Sequence, residues 1–182
     1  MGAGVVFENN QGPITVKNDS QVARATILGK LIEIIATSDS ERIDLDRDPA
    51  EIEVKISFND INNHRWLIDE YVDNSSMVDE SISLLNKLIN NGSTKLKRQM
   101  KLFYFSALSN YNISTSPFDL PKLKSKSDDI VREVINQTTE FVKSSSDLKD
   151  GYFDEDINFG VALIVSYSII ECIVLENPND HD

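Results

Sequence analysis

The run from Phe159 to Leu175 constrains this chain more than any other feature. Every position in it is apolar except Gly160, Ser166, Ser168, Glu171 and the hydroxyl of Tyr167. It is shorter than the ~20 residues that a membrane span needs. Its flanks are Asp154-Glu155-Asp156 and Glu176, with no basic anchor on either side. A helix of this composition is apolar on nearly every face and has to be wrapped by other elements. The run is therefore expected to be the central helix of a folded domain. The chain of 182 residues is long enough to wrap it, since a protein of this size buries about 70% of its extended surface.

The wrapping elements read as mostly helical. Val22, Ala23, Ile27, Leu28, Leu31, Ile32 and Ile35 recur at helical spacing behind an N-cap offered by Asn18-Asp19-Ser20. A helix with Ile61, Leu67, Ile68, Tyr71 and Val72 breaks at Asp73-Asn74-Ser75-Ser76, and Val78, Ile82, Leu85, Leu88 and Ile89 mark the next. Asn90-Asn91-Gly92 closes that one, and Leu96, Met100, Phe103, Tyr104, Ala107, Leu108 and Tyr111 mark another, opening at Ser93 or Thr94. Pro117 and Pro121 predict a connecting loop or mobile arm over residues 114–127, before a helix with Ile130, Val131, Val134, Ile135, Phe141 and Val142.

Strand signals are confined to the first third. Val5-Val6-Phe7 and Ile14-Thr15-Val16 flank a turn-forming stretch ending in Gly12-Pro13, which reads as a β-hairpin. Ile52, Val54, Ile56 and Phe58 alternate with Glu53, Lys55 and Ser57, the pattern of a half-buried strand. The expected fold class is thus α+β, predominantly α-helical, with about five helices and a small N-terminal β-hairpin or sheet. It is one domain over residues 1–182: a small sheet and first helix in 1–58, a helical core in 59–178, and a tail in 179–182.

Composition removes several function classes. Eighteen Lys and Arg stand against 30 Asp and Glu, a net charge of −12, which opposes general nucleic-acid binding and anionic membrane surfaces. One Cys and two His exclude a disulfide framework and a zinc site built from this chain alone. Asp44-Leu45-Asp46-Arg47-Asp48 begins like a calcium loop, but Pro49 and Lys55 occupy the positions that need Gly and Glu. Residues 150–156 fail in the same way, with Glu155 and Val161 at those places. No phosphate loop, dinucleotide fingerprint or nucleophile elbow is present. Cys172 sits in the most apolar segment, where a neutral thiol is a poor nucleophile, and His64 is the one internal base for it. The expectation is a protein with no cofactor, no metal and no catalytic residue. Met1 is followed by no basic region and by an apolar run too short for a signal peptide, so a cytoplasmic location is expected.

Charge is unevenly distributed. Seven cations and one acid, Asp119, lie between Lys95 and Lys126, a local net of +6 that leaves −18 on the rest of the chain. Lys97, Arg98 and Lys101, with Lys122, Lys124 and Lys126 on the following arm, are the candidate partner-binding residues. Three roles fit such an interval: a solvated face, docking on an acidic protein surface, or contact with a phosphate backbone.

Two segments also carry a family resemblance. Lys55-Ile56-Ser57-Phe58-Asn59-Asp60-Ile61 runs into His64-Arg65-Trp66-Leu67-Ile68-Asp69-Glu70-Tyr71, and Gly92-Ser93-Thr94-Lys95-Leu96-Lys97 opens a helix ending at Tyr111. The chain closes on Glu171-Cys172-Ile173-Val174-Leu175-Glu176-Asn177-Pro178. This order, over residues 50–178, resembles the C-terminal domains of bacterial ABC-three-component conflict systems, the group that includes Lamassu-type anti-phage defence, in a strand reading Lys-x-x-Phe-Asn, a helical middle and a closing Cys-x-x-Leu-Glu-x-Pro. The resemblance implies a non-enzymatic interaction subunit linking an ABC/SMC-like ATPase to an effector such as a nuclease, and it supplies no catalytic residues. Nothing like an effector domain precedes the helical part here, which departs from the usual arrangement. Two other classes compete: an acidic inhibitor or immunity-type protein covering a basic, nucleic-acid-binding partner, and a small hydrolase using Cys172.

Overall fold

The structure is a computed structural model, and it describes residues 24–38, 49–148 and 151–180. Six α-helices account for most of these residues: α1 (Ile27–Ala36), α2 (Pro49–Phe58), α3 (Arg65–Leu88), α4 (Gly92–Asn110), α5 (Leu120–Lys143) and α6 (Asp154–Ile170). Short 3₁₀ turns follow at Ser146–Leu148 and Pro178–Asp180.

Helix α6 is the central element, as its composition demands. From Gly160 to Ile170 every residue is buried, and α1, α3 and α5 pack around it. Asp154, Glu155 and Asp156 fill its first turn, where carboxylates complement the positive end of the helix dipole. Its two buried serines spend their hydroxyls on carbonyls. Ser168 returns to Ile164 at 2.7 Å, and Ser166 shares its proton between Ala162 (2.6 Å) and Leu67 of α3 (2.7 Å). Gly160 lets α1 approach closely: a Cβ there would stand 2.8 Å from Ile32 Cγ1.

The expected α+β class is not what forms. Among the described residues there is no strand, only isolated bridges pairing Arg24 with Ser145 and Thr115 with Phe118. The hairpin at Val5–Val16 and the cap at Asn18–Ser20 lie outside the described residues. The alternating segment Ile52–Phe58 lies in helix α2, so the strand that the family resemblance implies at Lys55–Asn59 does not form. A strand and a helix both repeat at i and i+4, so Ile52 and Ile56 point inward in either. Both are buried here, whereas Val54, the strand-only partner, is 56% exposed. Pro49 at the helix start and Glu51 in the first turn favour the helical choice locally.

Two further boundaries differ. The break expected at residues 73–76 is a kink inside one continuous helix, α3, where Asn74 leaves helical geometry (φ −127°, ψ 17°) and its amide donates to the Glu70 carbonyl at 2.8 Å. The arm expected to run to Ser127 ends at Asp119. Its carboxylate accepts from the Lys122 N–H at 3.1 Å and caps α5, and Pro121 lies in the first turn, where no N–H is needed.

Three helices end alike. After α2, α4 and α6 the chain turns through a left-handed residue: Asp60 (φ 53°), Asn112 (φ 53°) and Cys172 (φ 53°). In each, that residue's N–H and the next return to the last-turn carbonyls, as in Cys172 N to Ile169 O (3.0 Å) and Ile173 N to Ser168 O (2.9 Å). This is the Schellman pattern, usually built on glycine.

Candidate functional site

The left-handed turn after α6 sends residues 173–178 back against the end of α2, and the two segments lock together. The Asn59 carboxamide, 2% exposed, donates to the Lys55 carbonyl and to the Glu176 carbonyl, both at 2.9 Å, while its oxygen accepts from the Glu176 N–H at 3.0 Å. Its backbone carbonyl accepts from the Ser127 hydroxyl of α5. The Tyr104 hydroxyl of α4 donates to Glu176 Oε1 at 2.9 Å, and Lys55 Nζ donates to the Ile170 carbonyl at 2.5 Å. Burial pushes the Tyr104 hydroxyl well above the ordinary tyrosine range, and the Glu176 carboxylate pushes it the same way. Tyr104 is therefore a permanent donor. Four helices converge on this junction, and no polar atom of the Asn59 carboxamide is left over.

Most of the candidate basic residues are committed to partners within the chain. Lys97 reaches Glu171 Oε2 at 3.1 Å, and Lys126 reaches Asp129 at 3.1 Å. Lys122 Nζ donates to the Asn112 carbonyl at 2.9 Å. Lys124 Nζ lies 4.1 Å from the centre of the Phe58 ring, and Lys101 Nζ 5.1 Å from both the Tyr104 and Phe105 rings. Lys97, Lys101 and Lys124 are thus partnered with residues of, or next to, the segments that form the junction, while Lys122 and Lys126 are partnered with Asn112 and Asp129. Arg98 is exposed. Because α5 begins at Leu120, the Lys122–Lys126 stretch is helical surface and not an arm.

Beside the junction lies an opening of about 440 Å³, between Glu51, Val54 and Lys55 of α2 and the turn at Ile170–Cys172 with residues 177–179. Cys172 borders it, with Sγ 3.9 Å from the Ile170 carbonyl. His64 is engaged elsewhere: its Nδ1 is 3.0 Å from Asp128 Oδ1. Among the described residues no hydrogen bond joins Cys172 to His64. Asp128 also accepts from the backbone N–H groups of Asn62, Asn63 and His64 at 3.0–3.3 Å, which fixes the loop that opens α3. Among the described residues no three His, Cys, Asp or Glu side chains are grouped to hold a metal ion, and no helix is long and apolar enough to cross a membrane.

No family model matches the chain, and no curated protein or solved structure matches it either.

Reading the sequence missed a second feature of α4. Leu102 and Phe105 are 56% and 48% exposed, on the side opposite Leu96, Met100, Tyr104, Ala107 and Leu108. The signal was present in the spacing. These two residues fall out of phase with the buried stripe of their own helix.

Proposed function

We propose that this chain is a non-enzymatic protein-interaction subunit of a bacterial anti-phage defence assembly of the ABC-three-component, Lamassu-like type, linking an ABC/SMC-like ATPase to an effector nuclease. The observation that carries the reading is the Asn59–Glu176 junction. Two of the separated segments that bear the family resemblance, Lys55–Ile61 and Glu171–Pro178, meet through two hydrogen bonds of one buried side chain. Asn59 and Glu176, one from each of these segments, are thus bonded to each other, which supports reading them together. A Cys172–His64 pairing, by contrast, finds no support in their bonding.

The test is co-expression with the products of the neighbouring genes, followed by affinity purification and size-exclusion chromatography. Stoichiometric co-elution with an SMC-like ATPase is the expected result. Elution alone in the presence of both candidate partners would overturn the reading, and tight binding to a nuclease or toxin alone would replace it with the inhibitor reading.

A further inference from the structure

We propose that the outward face of α4 is the docking surface of this subunit, and that its occupant is an acidic segment of a partner protein carrying a large apolar side chain beside its carboxylates. The proposal rests on the reading of the chain as an interaction subunit and adds to it the place and the chemistry of the partner.

The argument begins with charge. Between Gly92 and Asn110 α4 carries Lys95, Lys97, Arg98 and Lys101 and no acid, on a chain whose net charge is −12. Lys97 is paired with Glu171. Lys95 and Arg98 are exposed, on the same side as Leu102, Phe105 and Ser109. These residues follow one another at intervals of three and four, so they form a single stripe along the helix. Two cations open it, two half-exposed apolar side chains follow, and Lys101 borders it with its ammonium 5.1 Å from the Phe105 ring. Large apolar groups adjoining one another on an outer helix face mark an interaction site more often than scattered ones do.

Beyond Phe105 the stripe runs into an opening of about 530 Å³ lined by Phe105, Leu108 and Ile113 and by the hydroxyl residues Ser109 and 114–116. A ligand laid along the stripe would therefore meet cations first, then the Leu102 and Phe105 side chains, and last a recess that is part apolar and part hydroxyl-lined. An acidic segment with a Phe or Leu at one end matches that order. The rest of the chain repels such a segment and this face attracts it, which steers the encounter to one orientation. A long polyanion is a poorer fit. From Lys95 to Phe105 the stripe rises about 15 Å, two of its members are apolar, and the acidic remainder lies beyond it.

The experiment uses three fluorescein-labelled probes on the full chain: an 18-residue peptide with Glu at every third or fourth position and Leu-Phe at its C-terminal end, the same peptide with Leu-Phe replaced by Ser-Ser, and a 20-base-pair DNA duplex. Saturable binding of the first peptide is expected, at least tenfold tighter than the second. Arg98→Glu and Phe105→Ser should each weaken it at least tenfold, while Lys143→Glu and Trp66→Ser leave it within twofold. All four positions are exposed, and unchanged thermal melting confirms folding. Equal affinity for both peptides, indifference to Arg98→Glu and Phe105→Ser, or absence of binding at millimolar peptide would overturn the proposal. Duplex binding stronger than peptide binding and abolished by the same substitutions would overturn it in favour of a nucleic-acid surface. If the neighbouring ATPase or effector co-purifies equally with wild type and with the Arg98→Glu/Phe105→Ser protein, this face is wrong and the interaction-subunit reading stands. If neither co-purifies with wild type while the peptide still binds at α4, the face stands and the assembly reading falls.

Discussion

Asn59 and Glu176 exchange hydrogen bonds like neighbouring strands of a sheet, except that one partner is a side chain: amide to carbonyl at 2.9 Å and backbone N–H to carboxamide oxygen at 3.0 Å. The third bond goes to the Lys55 carbonyl in the last turn of α2, which also accepts from the Asn59 backbone N–H. Truncating Asn59 to Ala therefore takes this partner from the Glu176 N–H and the Glu176 carbonyl, while the Lys55 carbonyl keeps its bond from the Asn59 backbone N–H at 3.2 Å. Each such group costs about 1–3 kcal/mol when it stays buried. A loss of about 2–4 kcal/mol is expected in urea denaturation. Tyr104→Phe removes one bond to the same residue and should cost about 1 kcal/mol. If Asn59→Ala melts with wild type, the junction does not hold the domain together.

Cys172 occupies a position built for glycine. A left-handed residue with a Cβ costs roughly 1–2 kcal/mol relative to the right-handed helix, and Asn or Asp, as at Asn112 and Asp60, bears it better than most. Cys172→Gly should raise stability by up to about 1 kcal/mol, reduced by the larger entropy of glycine in the unfolded chain. Cys172→Val, β-branched, should lower it by more than that. Equal midpoints for the two variants would mean that the turn is not held left-handed in solution.

Asp128 makes the stability pH-dependent at the acid end. Burial pushes its carboxyl up, but hydrogen bonds from Asn63, the His64 ring, the His64 backbone and Asn62 outweigh that and hold the group below the ordinary aspartate value of 3.8. A depressed carboxyl contributes stability above its unfolded value and loses it as pH falls through the folded one. Asp128→Asn should accordingly melt below wild type at pH 7, and the gap should narrow as pH falls below the ordinary aspartate value of 3.8. A gap that stays constant down to pH 2 would assign the effect to shape and not to charge.

Gly160 is the close-approach point of α1 and α6. Alanine there gains helix propensity, about 1 kcal/mol over glycine, but its methyl would stand 2.8 Å from Ile32 Cγ1 and 3.0 Å from Cγ2. Ile32 is fully buried and has no room to swing aside, so a net loss of about 1–3 kcal/mol is expected. The Ile32→Ala background removes both clashing carbons. In that background Gly160→Ala should become neutral or stabilising, a coupling that a double-mutant cycle reads directly.

What could be read in the sequence divides along physical lines. Helix α6 was legible because a segment apolar on every face has one place to go. Helix α2 was not, because Ile52 and Ile56 satisfy both periods and the deciding contacts come from elsewhere in the chain: Lys55 on the Ile170 carbonyl, Asn59 on Glu176. The basic interval was legible as charge alone. Whether a lysine faces solvent, a ring or a carboxylate depends on which helix lies opposite. Glu171 beside Lys97 and Phe58 beneath Lys124 are separated from them by more than 60 positions.

The start of α5 settles what the Lys122–Lys126 stretch is. A proline in the first helical turn is pre-set for the helix, and Asp119 supplies the cap that four unpaired N–H groups require. The amides of Leu123 to Ser127 should then be protected from hydrogen exchange as strongly as those of the turns that follow, and a mobile arm would exchange within seconds. Asp119→Ala removes the bond to the Lys122 N–H and should cost about 1 kcal/mol, with the loss of protection confined to the first two turns. Ser127 is the inner limit of that fraying, since its hydroxyl is bonded to the Asn59 and Leu123 carbonyls. Exchange that spreads past Ser127 to Ile130 and Val131 in the Asp119→Ala protein would show that the cap, and not the junction with Asn59, anchors this end of α5.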